Sequence, residues 1–209
     1  MDDFKIKGEN NPKIISLNGE DKISFKLSKS DLKDPDEFES FIKSCEQMIR
    51  DDPRYTAYIS ELKSRGFNKD VMQSGINNDL FPSTSIEMHH GPIFNLFELC
   101  SIVTDYLLKN DEKVTTYNIA DTILEEHKLN NIQVTFLTKT NHELVHNGDI
   151  FIHINQTFGN ILNFISKYKS GLHKDHLSTF NRYIELCEKY DATDNDYLQL
   201  SKLVKEMNK

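Results

Sequence analysis

Apolar residues recur at three- and four-residue intervals over most of the chain and alternate only over short stretches, which predicts a mostly helical α+β protein. The first helical stripe is Phe38, Phe41, Ile42, Cys45, Met48 and Ile49. Asp34 before it is a good N-cap, Pro35 suits the first helical position and Glu37 fits a capping box. A second helix is predicted from Asp52-Pro53, with Tyr55, Tyr58, Ile59 and Leu62 inward and Gly66 as its stop. Residues 67–92 read as irregular or hairpin-like and end in a short strand, 84–88. Helices follow at 93–109 and 116–129, then a β-branched strand at 132–137. A short helix runs from a Thr138 cap to Gly148, and 150–154 alternates as a strand does. The last residues predict three helices, 160–170, 174–190 and 194–207. Near the start, 13–17 and 22–27 flank Asn18-Gly19, a favoured hairpin turn. The expected organisation is an N-terminal hairpin and helices (1–70), a central segment (71–154) interrupted by a two-helix insertion (93–129), and a C-terminal helical region (155–209).

The chain has 209 residues and a formal charge of −8. That length fits one domain with a helical appendage. Acidic balance gives no general affinity for nucleic acid, so any DNA contact has to come from a local site. No apolar run approaches the ~18 residues of a membrane span, and the acidic start at Met1-Asp2-Asp3 lacks a signal-peptide core, so a soluble protein of the cytoplasm is expected. Cys45, Cys100 and Cys187 are odd in number and far apart. They read as buried small hydrophobes in a reducing compartment, not as a disulfide framework.

Histidine carries the chemistry. Four of the eight histidines fall in two clusters, His89-His90 at a predicted strand end and His142/His146 on the short helix. Positions four apart share a helical face, so His142 and His146 can chelate one divalent ion, and His89 would make a third imidazole. Such a set prefers Zn²⁺ or another transition metal to Mg²⁺. His127, His153, His173 and His176 have no partner at ligand spacing and read as surface or capping residues. Taken alone, His142-Glu143-Leu144-Val145-His146 matches the zinc-protease pattern, with Glu143 as general base.

Taken together, the two clusters resemble the HNH nuclease motif, also called ββα-metal or His-Me finger. Glu87-x-His89-His90 followed by Pro92 resembles the strand end of the DNase colicins. Asn131 to Thr135, Thr138 and His142-x-x-x-His146-x-Gly148 resemble their second strand and metal helix. The segments also resemble those of small phage-encoded HNH-type proteins. The resemblance implies a ββα-metal core with helical insertions and a metal-dependent DNA endonuclease. It implies His90 as general base, assisted by Glu87 and by Asn131 as the orienting amide, with Asn130 and Asn141 as alternatives. It further implies one divalent ion (Zn²⁺, Mg²⁺ or Mn²⁺) on His89, His142 and His146, with DNA as partner. Two other readings stand beside it: a zinc peptidase using Glu143, and a non-catalytic phage structural or interaction protein, in the virion, that keeps the metal site and binds a phage or host protein.

Overall fold

In the computed structural model, the described residues are Leu32, 34–73, 85–190 and 192–207. The hairpin expected at 13–27 lies outside them. Helix α1, Pro35–Asp51, starts where the sequence predicts, and the Asp34 carboxylate accepts from the Asp36 and Glu37 amides. It buries Phe41, Ile42, Cys45 and Ile49, while Met48, on the flank of that stripe, is exposed. Helix α2, Pro53–Ser64, follows at once under an Asp52 cap, and Gly66 ends it with φ +100°. Aspartates at both N-caps and prolines at both first positions fix these starts without tertiary help.

Strand β1, Ile86–His90, is followed by α3, Leu96–Lys109, and α4, Thr116–Lys128. Helix α3 begins three residues later than the periodicity suggests. Asn95 and Glu98 form a reciprocal capping box there, and Ile93 and Phe94 are buried ahead of the helix. Strand β2, Val134–Thr138, pairs antiparallel with β1, from Ile86 opposite Thr138 to His90 opposite Val134. Helix α5, Lys139–His146, leaves directly from the end of β2, with Thr138 as its cap. Residues 150–154 are not a strand. The far edge of β2 pairs instead with Phe158, whose amide and carbonyl both bond Val134, so this segment has no ladder to join. Ile152 and Ile154 are buried as side chains, and a 3-10 turn, Ile154–Gln156, follows. Helices α6, Ile161–Lys167, α7, Lys174–Lys189, and α8, Asn195–Met207, complete the chain.

Among the described residues, the α+β class is therefore mostly helix around one small two-stranded sheet. Helices α1, α3 and α4 pack on one another, and α5 lies on the sheet. The core runs through these helices as one apolar cluster, with Phe94, Phe164 and Phe180 among its fully buried members. Close approach has a visible cost at Gly171. A Cβ there would stand 2.1 Å from the Ile102 carbonyl of α3, so only glycine fits. All three cysteines are free and buried. Among the described residues, no helix is long and apolar enough to cross a membrane.

Candidate metal site

The strand alternates its side chains, so adjacent His89 and His90 leave β1 on opposite faces. Glu87 and His89 share one face and meet α5 there. The two helix histidines stand one turn apart on α5, and their Nε2 atoms are 3.1 Å from each other. The His89 ring lies 5.0 Å, centre to centre, from each of theirs. One ligand atom from each of the three residues falls within 4.8 Å of the other two. Donors on a tetrahedral Zn²⁺ with bonds of roughly 2.0–2.1 Å sit about 3.3 Å apart, so the helix pair is at ligand spacing, and His89 would have to come closer to join it.

Glu87 settles which nitrogen faces the centre. Its Oε2 lies 2.8 Å from His142 Nδ1. A carboxylate only accepts, so Nδ1 carries the hydrogen and the Nε2 lone pair of His142 points to His146. Carboxylate–histidine pairs of this kind orient metal-bound imidazoles. Burial, reinforced by the neighbouring His142 and His146, lowers the His89 pKa to about 4. Burial and His142 lower that of His146. Both therefore keep lone pairs at neutral pH.

A second set of contacts fixes α5 itself. Asp70 is fully buried. Its Oδ1 accepts from the Met72 and Gln73 amides at 2.8 and 3.0 Å. Its Oδ2 accepts from the Thr138 amide at 2.6 Å and from Asn141 Nδ2 at 2.9 Å. One carboxylate thus ties the turn after residue 69 to the first turn of α5. Burial opposes its charge, but the bonds from Thr138, Asn141 and the Met72 amide outweigh that and hold its pKa below the usual carboxylate range. Gly91 closes the other side with φ +142°; a Cβ there would meet His89 Nε2 at 3.1 Å.

The other expected site residues are engaged differently, although His90 also lines the cleft that holds the three imidazoles. His90 is buried on the opposite face, stacked at 7° on Tyr55, with its Nε2 3.0 Å from His127 Nε2. His127 Nδ1 donates to the Ile123 carbonyl, so its Nε2 accepts and His90 Nε2 donates. A base role for His90 would be left with Nδ1 alone. Burial, then the His127 neighbour, drives the His90 pKa well down. Asn131 is engaged away from His90: its Nδ2 donates to Glu126 at 2.7 Å and its Oδ1 accepts from Asn163 at 3.2 Å. Glu87 serves His142. Glu143 is on the exposed side of α5 and does not line the cleft over the three imidazoles.

Two residues that matter went unread in the sequence. His127 is buried, not a surface residue; it continues the Ile119, Ile123, Leu124 stripe of α4, and that spacing was the available signal. His176, expected as a surface or capping residue, does cap α7, its Nδ1 accepting from the His173 amide at 3.3 Å, and it is buried. Asp70 gave no local signal, because its partners lie 68 and 71 residues away.

The profile of the bacteriophage G278-like virion protein family matches residues 2–209. The chain belongs to that family. This match overturns the resemblance to HNH endonucleases, because it covers nearly the whole sequence and assigns a virion protein family instead. It supports the expectation of a phage protein and lends none to nuclease activity or DNA binding. Comparison with curated proteins and with solved structures gave no match. The short likeness is understandable in physical terms. Any strand-to-helix unit that gathers three imidazoles needs a strand histidine and an i, i+4 pair, whatever the protein does with them.

Proposed function

We propose that this G278-like virion protein is a non-catalytic structural or interaction component of the phage particle, carrying one transition-metal ion on His89, His142 and His146. Two supports carry the reading: the family match, and the meeting of three imidazoles with Glu87 orienting His142. An all-imidazole set favours Zn²⁺ over Mg²⁺ or Mn²⁺. The ion would join β1 to α5, and its binding free energy would add to the stability of the fold. The peptidase alternative needs a base at the ion; that Glu143 is exposed and outside the residues lining this cleft favours the non-catalytic reading.

The test is metal content and affinity of tag-free protein, with supercoiled plasmid as a parallel substrate. One equivalent of Zn²⁺, lost in His142→Ala, with plasmid left intact, is the expected result. Folded protein that takes up no Zn²⁺, Co²⁺ or Ni²⁺ would remove the metal from the proposal.

A further inference from the structure

The three imidazoles leave a tetrahedral ion one open position. They form one wall of a cleft of about 250 Å³. The same cleft is lined by Arg50 and Glu46 of α1, by His90, and by Asn95 at the start of α3. The Arg50 side chain is about half exposed, and its one ion-pair contact among the described residues, to Glu46 Oε1, is long at 3.5 Å. A guanidinium has five donors in a planar fork that matches a two-oxygen anion. Most of that fork is unspent. Helix α3 begins at the same cleft, so its N-terminal amides add partial positive charge, though Glu98 takes up the Asn95 amide.

Resting on the metal reading above, we propose that this cleft is an oxyanion-binding site. A carboxylate or phosphate group places one oxygen on the open position of the ion and is held by the Arg50 guanidinium. The Glu46 carboxylate is the internal competitor for Arg50, and an incoming anion displaces it. The site recognises an acidic group on a ligand, which closes the coordination shell that three histidines leave incomplete.

The experiment uses tag-free, full-length protein loaded with Co²⁺, whose visible bands report both binding and ligand exchange. Inorganic phosphate and acetate are titrated separately. Wild type is expected to show a saturable band shift with at least one of them. Arg50→Gln is expected to keep the Co²⁺ bands but bind the anion at least about tenfold more weakly. Glu46→Gln is expected to bind it more tightly. Tighter phosphate indicates a phosphoryl source for the natural ligand and tighter acetate a carboxyl source; either order supports the site. No shift with either anion, or identical titrations in wild type and Arg50→Gln, overturns the oxyanion site while leaving the metal reading standing. Folded protein with no Co²⁺ bands overturns both.

Discussion

Glu87 and His142 are 55 positions apart in sequence, yet Oε2 of one lies 2.8 Å from Nδ1 of the other. The pairing orients the imidazole and selects its tautomer, so the lone pair faces His146 and His89. Glu87 was expected to take part in catalysis; it is bonded to His142, one of the three imidazoles that come together.

Removing that support should weaken the site without removing a ligand. Glu87→Gln is expected to lower Zn²⁺ affinity about 10–100-fold, the usual loss for an orienting partner. Competition against a chromophoric chelator measures it. Unchanged affinity would mean that the pair is a surface contact only.

Asp70 should act through the backbone. Asp70→Ala leaves the Thr138 amide and Asn141 Nδ2 without their acceptor, and each such buried loss costs about 1–3 kcal/mol. The expected outcome is a lower urea midpoint together with weaker Zn²⁺ binding, since α5 is no longer fixed to β2. A loss of stability with undiminished metal affinity would separate Asp70 from the site.

Gly91→Ala tests the close approach to His89. The residue sits at positive φ, and the added Cβ would crowd Nε2 at 3.1 Å. Strain of about 1–3 kcal/mol is expected. Zn²⁺ affinity should fall as the His89 ring is displaced, with the circular dichroism spectrum retained.

The buried histidines make the protein acid-sensitive. Burial lowers the His127 pKa to about 4 and that of His176 to about 3. Unfolded histidine titrates near 6.5. Below that value the unfolded chain binds protons that the folded chain refuses. Stability is therefore full above about pH 6.5 and falls as pH drops toward 4, by about 1.4 kcal/mol per pH unit for each histidine. Urea midpoints taken between about pH 6.5 and pH 5 should show this slope, and His127→Gln should flatten it. An unaltered slope in that variant would place the acid sensitivity elsewhere.

Glu126 is the last buried charge with a clear prediction. It is fully buried and accepts from Lys167 Nζ, Tyr168 OH and Asn131 Nδ2. Burial raises its pKa, but these donors outweigh burial and carry it below the ordinary value. Glu126→Ala strands the Tyr168 hydroxyl, which is itself buried, and should cost about 2–3 kcal/mol. Thermal unfolding checks it, and metal affinity should stay as in wild type. Lys167 is spent on this contact.

Local signals carried most of the secondary structure. Asp34-Pro35 and Asp52-Pro53 fixed two helix starts, Thr138 fixed a third, and Gly66 and Gly148 took the positive φ that ends a helix. These depend on a few neighbouring residues, so they survive in a one-dimensional reading. The strand expected at 150–154 failed because a strand needs a partner, and Phe158 had already taken the free edge of β2.

Sequence alone determined which side chains could meet a metal: His142 and His146 share a helix face by spacing, and His89 stands at a strand end. It could not decide who serves them. Alternation along β1 sends His90 away from His89, into a buried pair with His127. Glu87, Asp70 and Arg50 come to the site from three separate stretches of chain. Helix and strand periodicity are properties of a few bonded neighbours and can be read in order. Hydrogen-bond partners and cleft walls are set by packing between distant segments, which only the tertiary structure brings together.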